Sequence, residues 1–315
     1  MGPQEYLGAG LPFPAGLPRG ETAALGAALI WAFTSLFFAR AGRLISPIGA
    51  NTFKCAAAAV LLTLAHFLIE RTPFPSAALS DWLILLASGV IGLAIGDSFL
   101  FSSFIRIGPR KGLLLLSLNP LIGTALGWIL FREALDARSL AGIAVTMTGV
   151  LVVLSPKGGF RSFGAASVGE RALLYGVLFG IGAACCQATG ALVAKPALAR
   201  IDNLTATQIR MYGGTAALVL LGLARGRFGH WANLIRVHRL FRPLFVASFL
   251  GQFVAVWLMT VSIDYAPAGI ALTILSTAPI WLIPLGGRFQ DHAPTPGETT
   301  GLLVAIAGIA VLLIR

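Results

Sequence analysis

Few residues in this chain could do chemistry, and most of them are set within apolar sequence. Asp97 is the clearest. It lies about two-thirds along the apolar run 82–105, with Ser98 beside it and Ser102 and Ser103 about one turn later. A carboxylate inside a membrane span costs several kcal/mol unless paired, so it points to a site. It could bind a cationic group or take up a proton in a coupled cycle. The plainer alternative is an aspartate that ties helices together through hydrogen bonds. Lys54 and Arg210 lie several residues inside the runs 48–69 and 204–223. The expectation is that their stems snorkel to the interface; otherwise they recognise an anionic group, or Lys54 pairs with Asp97. Asn119, Gln187 and Gln252 are uncharged but costly in lipid, and should face a cavity or another helix. Trp31, like Trp257 and Trp281, is interior to its run, where an indole walls a cavity or simply packs. Enzyme patterns are missing: no HExxH, no paired-aspartate motif, no P-loop, and no GxSxG with triad partners. His66, His230, His238 and His292 are scattered, and Cys55, Cys185 and Cys186 have no metal-ligand spacing. The residues imply no enzyme, no metal, no cofactor and no ATP-driven pump.

The elements that must position these residues follow from composition. Of 315 residues, 57% are hydrophobic and 11% charged, with mean hydropathy +0.86. A soluble domain carries roughly 25% charged residues, so this chain could not cover a water-facing surface. It reads as an all-α integral membrane protein. The formal charge of +11 does not imply nucleic acid, because the arginines sit mostly between apolar runs, where they anchor helix ends in membrane lipid. After a Pro- and Gly-rich segment, 1–21, expected to be a flexible tail without a signal peptide, ten runs follow. They lie at about 22–38, 48–69, 82–105, 109–131, 139–154, 172–194, 204–223, 243–263, 267–287 and 298–314. Most reach the roughly 20 residues a span needs. They are continuous rather than alternating, which excludes lipid-facing barrel strands.

The runs form two copies. Residues 116–155 align with 275–314 without a gap, at 11 identities in 40 positions. Pro120 falls on Pro279, Gly142 on Gly301 and Gly149 on Gly308; Lys54 pairs with Arg210 and Gly92 with Gly251 after small shifts. Asp97 meets Val256, so the copies differ where a site needs asymmetry. The expected domains are a first five-helix repeat at 22–155, a linker at 156–171 and a second repeat at 172–314. An odd number of spans per copy inverts the second, giving ten transmembrane helices in two inverted repeats. Such repeats place a binding site at their interface near the midplane and support alternating access. Pro120 and Pro279 each remove a backbone donor in mid-span, and their matched placement favours a hinge. The four glycines at 142, 149, 301 and 308 read as close helix contacts.

Orientation is contested within the sequence. Outside the runs, 7 Lys and Arg lie on the side of the termini and 14 on the other, which places the termini outside. Five of the 14 come from the connector 225–242, whose Trp231, Leu234, Ile235 and Phe241 interleave with Arg236 and Arg239. That connector reads as a helix anchored in the headgroup region, with substrate recruitment as the alternative.

The pattern resembles the EamA-like branch of the drug/metabolite transporter superfamily. The resemblance is carried by LSLNPLIGTALGWILFREAL at 116–135, by Gly142 and Gly149, and by LSTAPIWLIPLGG at 275–287. Pro120 and Glu133 match the family's proline and glutamate; the second copy keeps Pro279 but has His292 where the acid is expected. The resemblance implies a multi-pass carrier in a bacterial plasma membrane that moves a small polar or amphipathic metabolite, such as an amino acid. It also implies cytoplasmic termini, against the charge count. A lipid or lipid-linked flippase is the second transport reading, and a membrane enzyme or non-transporting subunit the reading of another class. A homodimer is left open.

Overall fold

The computed structural model describes residues 18–107, 109–154, 170–237, 239–278, 280–281 and 296–313. Among the described residues there are helices and short connections and no strand. The helices are α1 (Arg19–Leu44), α2 (Pro47–Glu70) and α3 (Leu79–Ile107), followed by α4 (Pro109–Leu116) and α5 (Asn119–Phe131). Then come α6 (Ala137–Leu154), α7 (Glu170–Leu198), α8 (Asn203–Ala224) and the short α9 (Phe228–Val237). The last are α10 (Phe241–Tyr265), α11 (Ala268–Leu275) and α12 (Pro296–Leu313).

Five stretches are long and apolar enough to cross a membrane: Ile48–Glu70, Leu79–Ile107, Gly112–Phe131, Arg171–Leu198 and Phe241–Tyr265. Helices α1 and α8 have the length, 26 and 22 residues, but carry polar groups such as Glu21, Thr34, Gln208 and Arg210 into the interior. Helices α6 and α12 are short apolar helices. The outward faces of α2, α5 and α7 show Val60, Leu64, Leu68, Trp128, Ile129, Leu174 and Leu178 to the surroundings, a surface suited to lipid and not to water.

Local signals explain the helix ends. Ser46 caps α2 by accepting from Gly49 N at 3.2 Å, with Pro47 in the first turn, where its missing N–H is no loss. Asp202 caps α8 by accepting from Leu204 N and Thr205 N, each at 2.9 Å. Helix α1 starts at Arg19, ahead of the apolar run, so Arg19, Gly20 and Glu21 belong to the helix and not to a tail. Glu21 sits buried in its first turn, where the helix dipole favours a carboxylate. The linker expected at 156–171 lies largely outside the described residues.

Two irregularities recur at the same spacing as the sequence repeat. Helix α3 passes through a π-helical segment at Val90–Gly96, and α10 through one at Phe249–Val254, 159 residues later. The chain also turns at Ser117–Leu118 and again at Ser276–Thr277, 159 residues on. Pro120 stands in the first turn of α5, directly after the turn at Ser117–Leu118, where Leu118 keeps helical dihedrals (φ −73°, ψ −16°), so the proline marks a local irregularity within the continuous apolar stretch Gly112–Phe131. Pro279 lies outside the described residues.

Helices α6 and α12 meet backbone to backbone through the paired glycines. A Cβ on Gly149 would lie 2.4 Å from Ala305 N and 2.6 Å from the Gly301 carbonyl oxygen. A Cβ on Gly308 would lie 2.4 Å from Thr146 N. No side chain can give way there, so Gly149→Ala should push the two helices apart at a cost of about 1–3 kcal/mol. Thermal unfolding in detergent should show a lower Tm for Gly149→Ala, whereas Gly297→Ala, with nothing within 4 Å of its Cβ, should match the parent. Equal Tm values for both would refute the contact.

Candidate functional site: a buried ion pair beside the π-helical segments

The inner face of α2 repeats at Asn51, Cys55, Ala58 and Leu62, all fully buried, and Lys54 lies at the edge of that stripe. Lys54 is 6% exposed and Arg210 1% exposed, so neither reaches the interface. The snorkelling expectation is corrected: both side chains project from the inward faces of their helices, and each cation finds its partners inside the bundle. Lys54 Nζ donates to Asp97 Oδ2 at 2.7 Å and stands 5.6 Å from the Phe101 ring centroid. Gln187 Nε2 donates to the other oxygen, Oδ1, at 3.0 Å. The carboxylate thus joins α2, α3 and α7, two helices of the first copy and one of the second.

The π-helical segment makes this meeting feasible. The wider turn ends at Gly96, immediately before Asp97. Within it, Leu93 O accepts from Asn51 Nδ2 at 3.1 Å. Helices α3 and α7 approach through small residues: a Cβ on Gly96 would lie 3.0 Å from Gln187 Cγ, and one on Gly92 3.5 Å from Gly190 Cα. Ser98 Oγ, next to Asp97, is buried and has no hydrogen-bond partner among the described residues.

The second π-helical segment has its own contact. Trp31 Nε1 donates to Gly251 O at 2.8 Å, and a Cβ at Gly251 would strike Thr34 Oγ1 at 2.6 Å. The adjacent Gln252 is buried, with Nε2 3.9 Å from Cys55 Sγ, which in turn lies 3.6 Å from Asn51 Oδ1. Trp31, Gln252, Lys54, Asp97 and Gln187 therefore form one polar band across α1, α10, α2, α3 and α7. Two of the residues expected at a site stand apart from it. Asn119 is buried at the start of α5, with Oδ1 unpaired among the described residues and no hydrogen bond joining it to Asp97. Arg210 forms a separate knot: Nε donates to Ser88 Oγ at 2.9 Å and Nη1 to Thr260 Oγ1 at 3.2 Å. Ser88 precedes Asp97 by nine residues on α3, roughly 13 Å at 1.5 Å per residue.

Sequence reasoning left one charged cluster undefined. Glu133, after the end of α5, pairs with Lys195 near the end of α7 and accepts from Ala268 N at 2.8 Å at the start of α11. Lys195 also reaches the Ala266 carbonyl oxygen at 3.4 Å. The acid was visible in the FREAL motif, but nothing in the local sequence of Lys195, which reads as an interfacial cation, names its partner. Nearby, Arg200 Nε donates to the buried Asp81 at 2.9 Å. Asn203 Nδ2 donates to Asp264 Oδ2 at 3.0 Å, at a cavity of about 160 Å³ that Trp257 also lines.

A chain that is helical throughout its described residues, with membrane-length apolar helices and a lipid-suited exterior, is an integral membrane protein of the helical class. The chain belongs to the EamA-like transporter family, whose model matches it twice, over residues 18–155 and 174–314. It is 25% identical over 267 residues to the uncharacterized transporter YetK of Bacillus subtilis (strain 168), covering 82% of this chain and 76% of that protein. A solved structure described only as a crystal structure of protein superposes with a TM-score of 0.74 over 93% of this chain and 96% of that one. At 16% identity it shows the fold alone.

The pair has a measurable signature. Truncating one partner strands a charge away from water, which typically costs 3–5 kcal/mol, whereas replacing both by apolar residues of similar volume is often close to neutral. Lys54→Met alone and Asp97→Leu alone should each lower the unfolding midpoint in detergent, and Lys54→Met/Asp97→Leu should recover most of that loss. Additive losses in the double variant would show that the two groups are not coupled.

Proposed function

We propose that this protein is a secondary carrier that moves a small polar or amphipathic metabolite across a bacterial plasma membrane by alternating access. The observation that carries the reading is the Asp97 carboxylate, held by Lys54 from its own copy and by Gln187 from the other. The family membership and the doubled match to its model support transport. The recurrence of both π-helical segments and both turns at 159 residues supports two five-helix copies within a ten-span architecture. With five helices each, the copies lie inverted, and a site shared between them is the part exposed alternately to the two sides.

The chemistry of the pair favours an amino-acid-like solute. A zwitterion can divide it: the solute carboxylate replaces Asp97 on Lys54, and the solute ammonium replaces Lys54 on Asp97. Each buried charge then keeps a partner throughout, and no charge is left bare. Proton uptake at Asp97 would release Lys54 in the same way, which gives a route to coupling. Gln187 and Ser98 supply further polar contacts, and the turn before Pro120 supplies a flexure.

Substrate-evoked charge movement in proteoliposomes, across amino acids, amines, sugars and organic acids, tests the reading, with radiolabel counterflow run alongside for electroneutral exchange. An amino-acid signal is expected, and Asp97→Asn should remove coupling or reduce transport by about 10²-fold or more, since an amide cannot answer a solute ammonium. A signal that Asp97→Asn leaves unchanged would demote Asp97 to a helix tie. Silence in both assays for every solute would sink the small-metabolite reading in favour of a lipid or lipid-linked flippase, whose basis is the arginine-rich connector 225–242.

A further inference from the structure

Helix α9 and its two flanking turns are fixed to the bundle by one aromatic key. Trp231 is buried, and its ring fills a notch between two glycines: a Cβ on Gly49 would lie 2.8 Å from Trp231 Cδ1, and one on Gly222 2.8 Å from its Cζ3. Phe228 packs on the indole edge-on, with ring centroids 5.5 Å apart. Leu234 and Ile235 pack against a cluster of Ile45, Ala50, Leu240 and Leu244, which completes the inner face. The turns are tightly set, with Gly226 at φ 60° and Arg239 at φ 51°, the latter a conformation that a side chain adopts only under constraint. The connector is therefore a docked platform.

What that platform presents is one-sided in charge. Arg225, Arg227, Arg236, Arg239 and Arg242 are all exposed, and none forms an ion pair among the described residues. No Asp or Glu occurs between residues 203 and 263, so the segment brings no acid of its own. Directly below, α10 exposes Phe241, Phe245 and Phe249 at intervals of four. Phe241 and Phe245 lie nearly parallel, with ring centroids 6.0 Å apart and planes 13° apart. Val237 and Val246 are exposed beside them. The aromatic ladder descends roughly 12 Å, most of the depth of one hydrocarbon leaflet.

We propose that this corner is a binding site for an anionic glycerophospholipid, with its phosphate on Arg236, Arg239 and Arg242 and an acyl chain along Phe241, Phe245 and Phe249. A guanidinium forks onto phosphate oxygens and is weakly hydrated, so it suits this role better than an ammonium. The ladder below the arginines selects a ligand with a charged head and a long apolar tail, which a free phosphate or a nucleic acid lacks. The site lies on the outside of the bundle, away from the Asp97 band, and is independent of which solute is carried.

The test uses the full chain in nanodiscs of equal phosphatidylglycerol and phosphatidylethanolamine, with retained lipid counted by native mass spectrometry. The protein should keep phosphatidylglycerol over phosphatidylethanolamine by about tenfold, on the scale of the attraction between basic residues and anionic headgroups. Arg236→Gln/Arg239→Gln/Arg242→Gln should bring the ratio close to one. Arg19→Gln/Arg71→Gln/Arg138→Gln removes the same charge from exposed positions elsewhere and should leave the ratio high. Trp231→Ala, which keeps every arginine but loosens the platform, should lower it severalfold. Arg236→Lys/Arg239→Lys/Arg242→Lys keeps the charge and tests the fork, with an intermediate ratio expected. Equal retention of the two lipids by the parent protein would overturn the site. Equal loss in the two glutamine triples would reduce it to a general effect of net charge and overturn it as well.

Discussion

A lysine and an aspartate share a hydrogen bond between α2 and α3, away from water, and much of the surrounding structure serves to make that arrangement tolerable. Neither charge could be left alone there, because isolated ions in low dielectric lose many kcal/mol of hydration. Asp97 therefore spends one oxygen on Lys54 and the other on Gln187, and Lys54 gains the face of Phe101. Each of those partners in turn depends on backbone geometry. Gln187 reaches the carboxylate only because Gly92, Gly96 and Gly190 let α3 and α7 close to contact distance, and Asp97 stands immediately after the wide turn that ends at Gly96.

The two copies keep one skeleton and differ in their charges. Both hold a π-helical segment and a turn at matched places, and both carry a buried cation on their second helix, Lys54 and Arg210. In the first copy the cation has a carboxylate. In the second, the position matching Asp97 is Val256, and Arg210 instead meets the hydroxyls of Ser88 and Thr260. A guanidinium with several fixed donors can be satisfied by a ring of neutral acceptors, whereas an ammonium beside an acid can exchange that acid for another anion. The Arg210 knot fastens α8 to α3 and α10 through hydroxyls, whereas the Lys54 pair ties α2 to α3 through opposite charges.

Apolar burial does little to hold helices together inside a membrane, since lipid is as apolar as leucine. The close contacts in this protein are made through small residues, as at Gly149 against Gly301 and at Gly89 against the Arg210 carbonyl oxygen, and through polar clasps such as Glu133 with Lys195 and Asp81 with Arg200. The clasp at Glu133 joins the first copy to Lys195 and to the start of α11 in the second.

Composition and periodicity were enough to determine a helical membrane protein, its duplication, and the type of residue that would matter, because the cost of a charge in lipid is visible wherever Asp97, Lys54 or Gln187 interrupts an apolar run. The glycines at 142, 149, 301 and 308 were legible for the same reason, since small residues at matched positions mean close approach. Partnership was not legible. Nothing along the chain says that Gln187, 90 residues away, shares Asp97 with Lys54, or that Lys195 belongs to Glu133. The π-helical segments were hidden too, because one extra residue per turn leaves no mark in hydropathy. Snorkelling was the natural expectation for Lys54 and Arg210, for sequence records how far a residue lies from the end of its helix and not whether its side of that helix faces lipid. Which face of each helix turns inward is decided by packing among all of them, and so the tertiary structure alone brought these costly residues into contact.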